Sequence, residues 1–119
     1  MFKKEYQITL WGQTHYVDFT THVRKRGKER EIDNYMKRTI LLCLDKCKSL
    51  ISEYVGDESF AVTMPLLSFV AKRRVESGIS SLDIITVVKG DDIKMFEGQK
   101  FFNISVKGVT FNTFHKRIK

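Results

Sequence analysis

One histidine followed by two arginines at four-residue intervals is the part of this chain with the clearest chemical content. Residues 19–33 read Phe-Thr-Thr-His-Val-Arg-Lys-Arg-Gly-Lys-Glu-Arg-Glu-Ile-Asp. In a helical segment His22, Arg26 and Arg30 fall near one face. An imidazole exchanges its proton near neutral pH, and neighbouring cations favour its neutral, basic form. Guanidinium groups stay charged and present planar donors to phosphate oxygens. Together these groups suit the handling of a phosphodiester. A purely structural arrangement uses the same residues: His22 donating to a backbone carbonyl at a helix start, with Arg26 and Arg30 bound to Glu29, Glu31 or Asp33.

Other residues of chemical interest lie further along. Lys72 and Arg74 share one face of an expected strand by alternation, with Arg73 on the opposite face. His115 stands in Phe114-His115-Lys116-Arg117 near the end. His15 sits on the apolar face of an expected hairpin and reads as buried structure. Cys43 and Cys47 are four apart on an apolar stripe, with no neighbouring His or Cys to complete a metal site, so they read as small core residues. There is no Gly-rich phosphate loop, no metal-spaced acidic cluster and no nucleophilic triad. No metal and no cofactor is expected.

The balance of charge points the same way. The chain has 119 residues, enough for one domain, and a formal net charge of +7. Such an excess favours polyanionic partners through counterion release. It is clustered, since residues 24–30 hold five cations and one acid. No apolar run approaches the roughly 18 residues of a membrane span, and Met1–Tyr6 lacks a secretion signal's apolar core. The expectation is a single cytoplasmic domain that does not enter membranes and meets RNA or DNA.

These residues must be held by elements that the periodicity predicts. Tyr6, Ile8 and Leu10 alternate with polar residues, Gly12-Gln13 supplies a turn, and His15, Val17 and Phe19 return on the same face. A short basic helix is expected over about residues 21–28. Asp33 then caps a long amphipathic helix from Asn34 to Tyr54, with Met36, Ile40, Cys43, Leu44, Cys47, Leu50, Ile51 and Tyr54 at a 3.6 period. Strands are expected at 59–64, 67–76, 82–88 and 100–106, broken by Pro65, Ser77-Gly78 and Gly90-Asp91-Asp92, followed by an apolar docking tail. The class expected is α+β: an N-terminal β-hairpin, two helices, then a mostly antiparallel sheet.

The string from Phe19 through His22, Arg26 and Arg30-Glu31-Ile32-Asp33, set between a strand and a helix, resembles the RegB-type phage endoribonucleases. It is also similar to small RelE/YoeB-like toxin ribonuclease domains. The likeness covers roughly residues 17–45. It implies a RelE/RegB-like fold and metal-independent cleavage of mRNA, free or on the ribosome, by attack of a 2′-hydroxyl on the adjacent phosphate. His22 and Arg26 would be catalytic, with His115 as a further acid or base. Arg24, Arg30, Lys72 and Arg74 would bind substrate, the last two by fold analogy. The family's second histidine falls near Leu42, where this chain has none. Alternatives are a silent nucleic-acid binder of the same fold, or a phage-type protein whose partner is a host or antitoxin protein.

Overall fold

The computed structural model describes residues 6–19 and 34–116. In chain order the elements are β1 (Gln7–Leu10), β2 (Gln13–Asp18), α1 (Asn34–Tyr54), β3 (Phe60–Thr63), β4 (Leu67–Glu76), β5 (Ile79–Lys89), β6 (Lys100–Ser105) and β7 (Gly108–Thr113). All seven strands join one sheet in the order β1-β2-β5-β4-β3-β6-β7. The sheet curls into a half-barrel, and α1 packs on its apolar face, approaching both edge strands, β1 and β7.

The core follows from two periodicities meeting. From α1, the buried residues Ile40, Cys43, Leu44, Cys47 and Ile51 recur at helical spacing. From the strands come Ile8, Leu10, Val17, Leu82, Ile84, Phe69, Phe60, Val62 and Phe102, all buried in the same cluster. Phe60 and Phe102 meet edge to face at 5.8 Å. Both cysteines are buried, and burial pushes the Cys47 thiol up to about 12, so it stays protonated among the apolar side chains.

The expected architecture of a hairpin, two helices and a mostly antiparallel RelE/RegB-like sheet is corrected in three respects. The described residues are 48% strand with a single helix. The N-terminal hairpin is no separate unit, because β2 pairs with β5, which leaves β1 as one edge of the common sheet. That pairing and β3 with β6 are parallel, so two of the six strand contacts run against the antiparallel expectation. The short basic helix expected over 21–28 lies outside the described residues. Alternation shows that a segment is a strand, but it does not show which strand lies beside it.

The first hairpin shows a smaller correction. Leu10 pairs with Gln13 and Ile8 with His15, so the turn is Trp11-Gly12 and not Gly12-Gln13. A shift of two residues keeps every side chain on its expected face. Both turn residues have positive φ, 51° for Trp11 and 73° for Gly12, as a right-twisted two-residue hairpin requires. A bulky side chain there is uncommon. Trp11 is held by the end of α1: its backbone N–H donates to Ser52 Oγ at 2.9 Å and its indole Nε1–H to the Val55 carbonyl at 2.7 Å.

The same helix end is met from the far side of the sheet. Lys100 Nζ on β6 donates to the Tyr54 carbonyl at 2.5 Å and pairs with Glu58 at 2.7 Å, which holds the Glu58 carboxyl below its usual range. Tyr54 stacks on Phe111 of β7, with ring centroids 4.4 Å apart. The last carbonyls of a helix have no partner within it, and a cation there also complements the helix dipole. We expect Trp11→Phe, which keeps the ring and removes only the indole donor, to cost about 1–3 kcal/mol in urea unfolding. An unchanged midpoint and slope would show that the Val55 carbonyl needs no such donor.

Candidate functional site

His22, Arg24, Arg26 and Arg30 lie outside the described residues, but the two ends of their segment are in view. It leaves β2 after Phe19 and returns at Asn34, the start of α1. At this junction Tyr6 and Phe19 meet edge to face at 5.4 Å. Lys37 Nζ lies 5.5 Å from the Tyr6 ring and 5.6 Å from the Phe19 ring, within reach of both π-faces. Beside them is a surface hollow of about 360 Å³ lined by Tyr6, Asn34, Arg38 and Leu41. The start of α1 thus sets Lys37 and Arg38 beside the point where the basic segment joins. Leu42, where the resemblance would place a second histidine, is 65% exposed on the helix's outer side.

Lys72 and Arg74 do share one face of β4, the face away from α1. Arg74 is engaged there by three carboxylates. It meets Asp83 of β5 through two nitrogens, Nε at 2.7 Å and Nη2 at 3.1 Å. It also meets Glu76 at 2.6 Å and Asp18 of β2 at 3.3 Å. Lys72 lies directly across from Asp83. Asp18 and Asp83 are themselves paired across the parallel β2–β5 contact, a repulsive arrangement that a bidentate guanidinium relieves. Three carboxylates face two cations here, so this patch ties β2, β5 and β4 together and does not draw phosphate to itself.

His115 follows β7. Its Nδ1 lies 2.7 Å from Glu97 Oε2, while Glu97 Oε1 accepts the Lys116 backbone N–H at 2.7 Å. These bonds, the backbone donor foremost, hold the Glu97 carboxyl below its usual range. The carboxylate fixes the ring by one nitrogen and leaves the other face of a 69% exposed imidazole toward solvent. The ring is open to solvent, but β4 and β7 are separated by β3 and β6. Three strand spacings are roughly 14 Å along the sheet. His115 and the Lys72/Arg74 pair therefore do not address one phosphodiester.

A second polar cluster, on the inner face, was only half visible in the sequence. His15 is fully buried. Its Nδ1 lies 3.0 Å from the Gln13 carbonyl, and its Nε2 accepts from Arg73 Nε at 3.2 Å. The partners fix the tautomer: hydrogen on Nδ1, lone pair on Nε2. Arg73 also donates to Gln13 Oε1 at 3.1 Å, lies 3.8 Å from Asp57, and stacks over the Trp11 ring at 4.9 Å. The sequence set His15 on a core face and Arg73 on the strand face opposite Lys72 and Arg74, but it did not bring the two together. The β2–β5–β4 order that creates it could not be read from alternation.

Charge is unevenly divided between the described residues and the rest. The described residues hold twelve Lys and Arg against ten Asp and Glu, while the remaining 22 hold nine against four. Most of the +7 excess is therefore carried outside the described residues. Among the described residues no helix is long and apolar enough to cross a membrane, and no group of three or more His, Cys, Asp or Glu could hold a metal ion. No family model, no curated protein and no solved structure matches this chain.

The His15 cluster gives a pH dependence of known sign. Burial lowers the imidazole's affinity for protons; the Gln13 carbonyl opposes this and Arg73 reinforces it. The folded value thus lies below the ordinary one of about 6.5. Stability due to neutral His15 is complete above that pH and is lost as pH falls toward the folded value, because only the unfolded chain takes up the proton. Thermal unfolding followed from pH 7.5 to 4.5 should show a fall in midpoint that is shallower in His15→Gln. Equal slopes in the two proteins would remove His15 from the account.

Proposed function

We propose that this protein is an RNA-directed protein that grips the phosphate backbone with Arg24, Arg26 and Arg30 together with Lys37 and Arg38 of α1. The observation that carries the reading is the division of charge. The described residues are close to neutral, and five of the nine cations outside them crowd with one acid into residues 24–30, in a segment whose two ends adjoin a hollow containing Arg38 and an aromatic pair already holding Lys37. A polyanion is attracted to such a cluster through counterion release, and Tyr6 offers a ring on which an unpaired base can stack. Within this reading His22, four residues before Arg26, is the base that would take the proton of a 2′-hydroxyl, with Arg26 offsetting charge on the phosphate.

A binding protein without cleavage is the second form of the same reading, and a specific observation favours it. The other two histidines are poorly placed to supply a second proton-transfer group. His15 is sealed in the core, and His115 follows β7, separated in the sheet order by four strands from β2, after which the basic segment begins.

Purified protein is incubated with mixed single-stranded RNA in excess chelator. We expect retention at low salt that weakens steeply as salt rises. Arg24→Ala/Arg26→Ala/Arg30→Ala should weaken binding by about tenfold or more, while Lys72→Ala stays within about twofold. Cleavage leaving 2′,3′-cyclic phosphate ends, lost in His22→Ala with binding retained, is the outcome for an enzyme. Binding with intact RNA is the outcome for the silent form. RNA that is neither held nor cut at low salt would overturn both.

A further inference from the structure

We propose that β7 is a self-complementary docking edge, and that two copies of this chain join their sheets by antiparallel β7–β7 pairing centred on Phe111. Phe114 directs its N–H to the Gln99 carbonyl and its carbonyl to the Gly98 N–H, both on the β6 side. In an antiparallel pair these directions alternate along the strand. Asn112, Thr110 and Gly108 therefore face β6, whereas Thr113, Phe111 and Val109 turn their N–H and C=O groups to the outer edge. The strand order leaves no neighbour there, and no backbone partner for those three residues exists among the described ones.

Natural sheets protect such edges with lysines, prolines, bulges or very short strands. β7 is the six-residue Gly-Val-Thr-Phe-Asn-Thr, without charge or proline, and its pairing with β6 is unbroken from Lys100↔Thr113 to Ser105↔Gly108. The opposite edge, β1, offers only four residues.

The occupant is argued from complementarity. A two-fold axis through Phe111 sets Val109 opposite Thr113 of the second copy, and the reverse. All three outward-facing residues on each strand then meet outward-facing partners, giving about six new hydrogen bonds. The same register brings Lys107, at the tip of the β6–β7 hairpin, opposite His115 of the second copy, beside the Glu97 carboxylate that binds it. A cation thus meets an acid at both ends of the pairing, and the uncharged strand between them places no like charges in contact. The result is a continuous sheet running through both copies.

The test is the mass in solution of the full chain over a concentration series, by sedimentation velocity. Twice the 13.9 kDa chain mass is expected for the unaltered protein at the highest concentrations. In Thr113→Pro, whose lost N–H faces outward and makes no bond to β6, the dimer should weaken by about tenfold or more. A second measurement covers the case in which that variant misfolds. Amide exchange at Val109, Phe111 and Thr113 of the unaltered protein should slow as concentration rises, while that of β1 does not. A protein that stays at the single-chain mass into the high micromolar range overturns the proposal. So does a dimer in which those three amides exchange as freely as in the monomer.

Discussion

The final turn of α1 is the place where the two halves of this protein are fastened to each other. The carbonyls at its end, of Tyr54 and of Val55 just past it, are taken by groups from well-separated parts of the sheet: the Lys100 ammonium on β6 and the Trp11 indole beyond β1. Because one helix end is tied to both sides, the sheet must curl around the helix, and a curled sheet can bury the single apolar stripe of α1 from several directions. Tyr54 against Phe111 adds an apolar clasp at the same level. The two-residue turn requires the unusual backbone at Trp11, and the bonds to Ser52 and Val55 hold it against its own preference.

Polar chemistry is divided between the two faces of the sheet, and the division governs what each charged residue can do. On the inner face Arg73 reaches the rim of the core and satisfies a buried imidazole, an amide and an indole ring. On the outer face Arg74, one residue along, gathers Asp18, Asp83 and Glu76. Neighbouring arginines in sequence thus serve opposite sides of one strand, both in structural roles. The start of α1 sets two further cations, Lys37 and Arg38, beside the hollow at the junction with the basic segment. That division of labour is the physical basis for reading the protein as RNA-directed.

Charge clustering and the burial of single residues were legible in the sequence, because both are local properties. The concentration of cations at 24–30 and the core character of Cys43, Cys47 and His15 are of this kind. Partnerships were not legible. Nothing in the spacing of Glu97 and His115 announces that they meet, since 17 residues of loop and hairpin intervene, and nothing near Arg74 names Asp18. Such pairs are set by strand order, which depends on how apolar faces are shared over long sequence separations.

By itself the sequence determined α1 from Asn34 to Tyr54, the inward set of the first two strands, and the turn at Ser77-Gly78, because these rest on periods of 3.6 and 2 and on glycine's tolerance of positive φ. It also determined the net charge and its clustering. Tertiary structure alone decided that β1 and β2 join the other five strands, that β2 with β5 and β3 with β6 run parallel, and that the docking tail is an edge strand. The reason is physical. A strand's face is written in its alternation, but its neighbour is chosen by the burial and hydrogen bonding of the whole sheet at once.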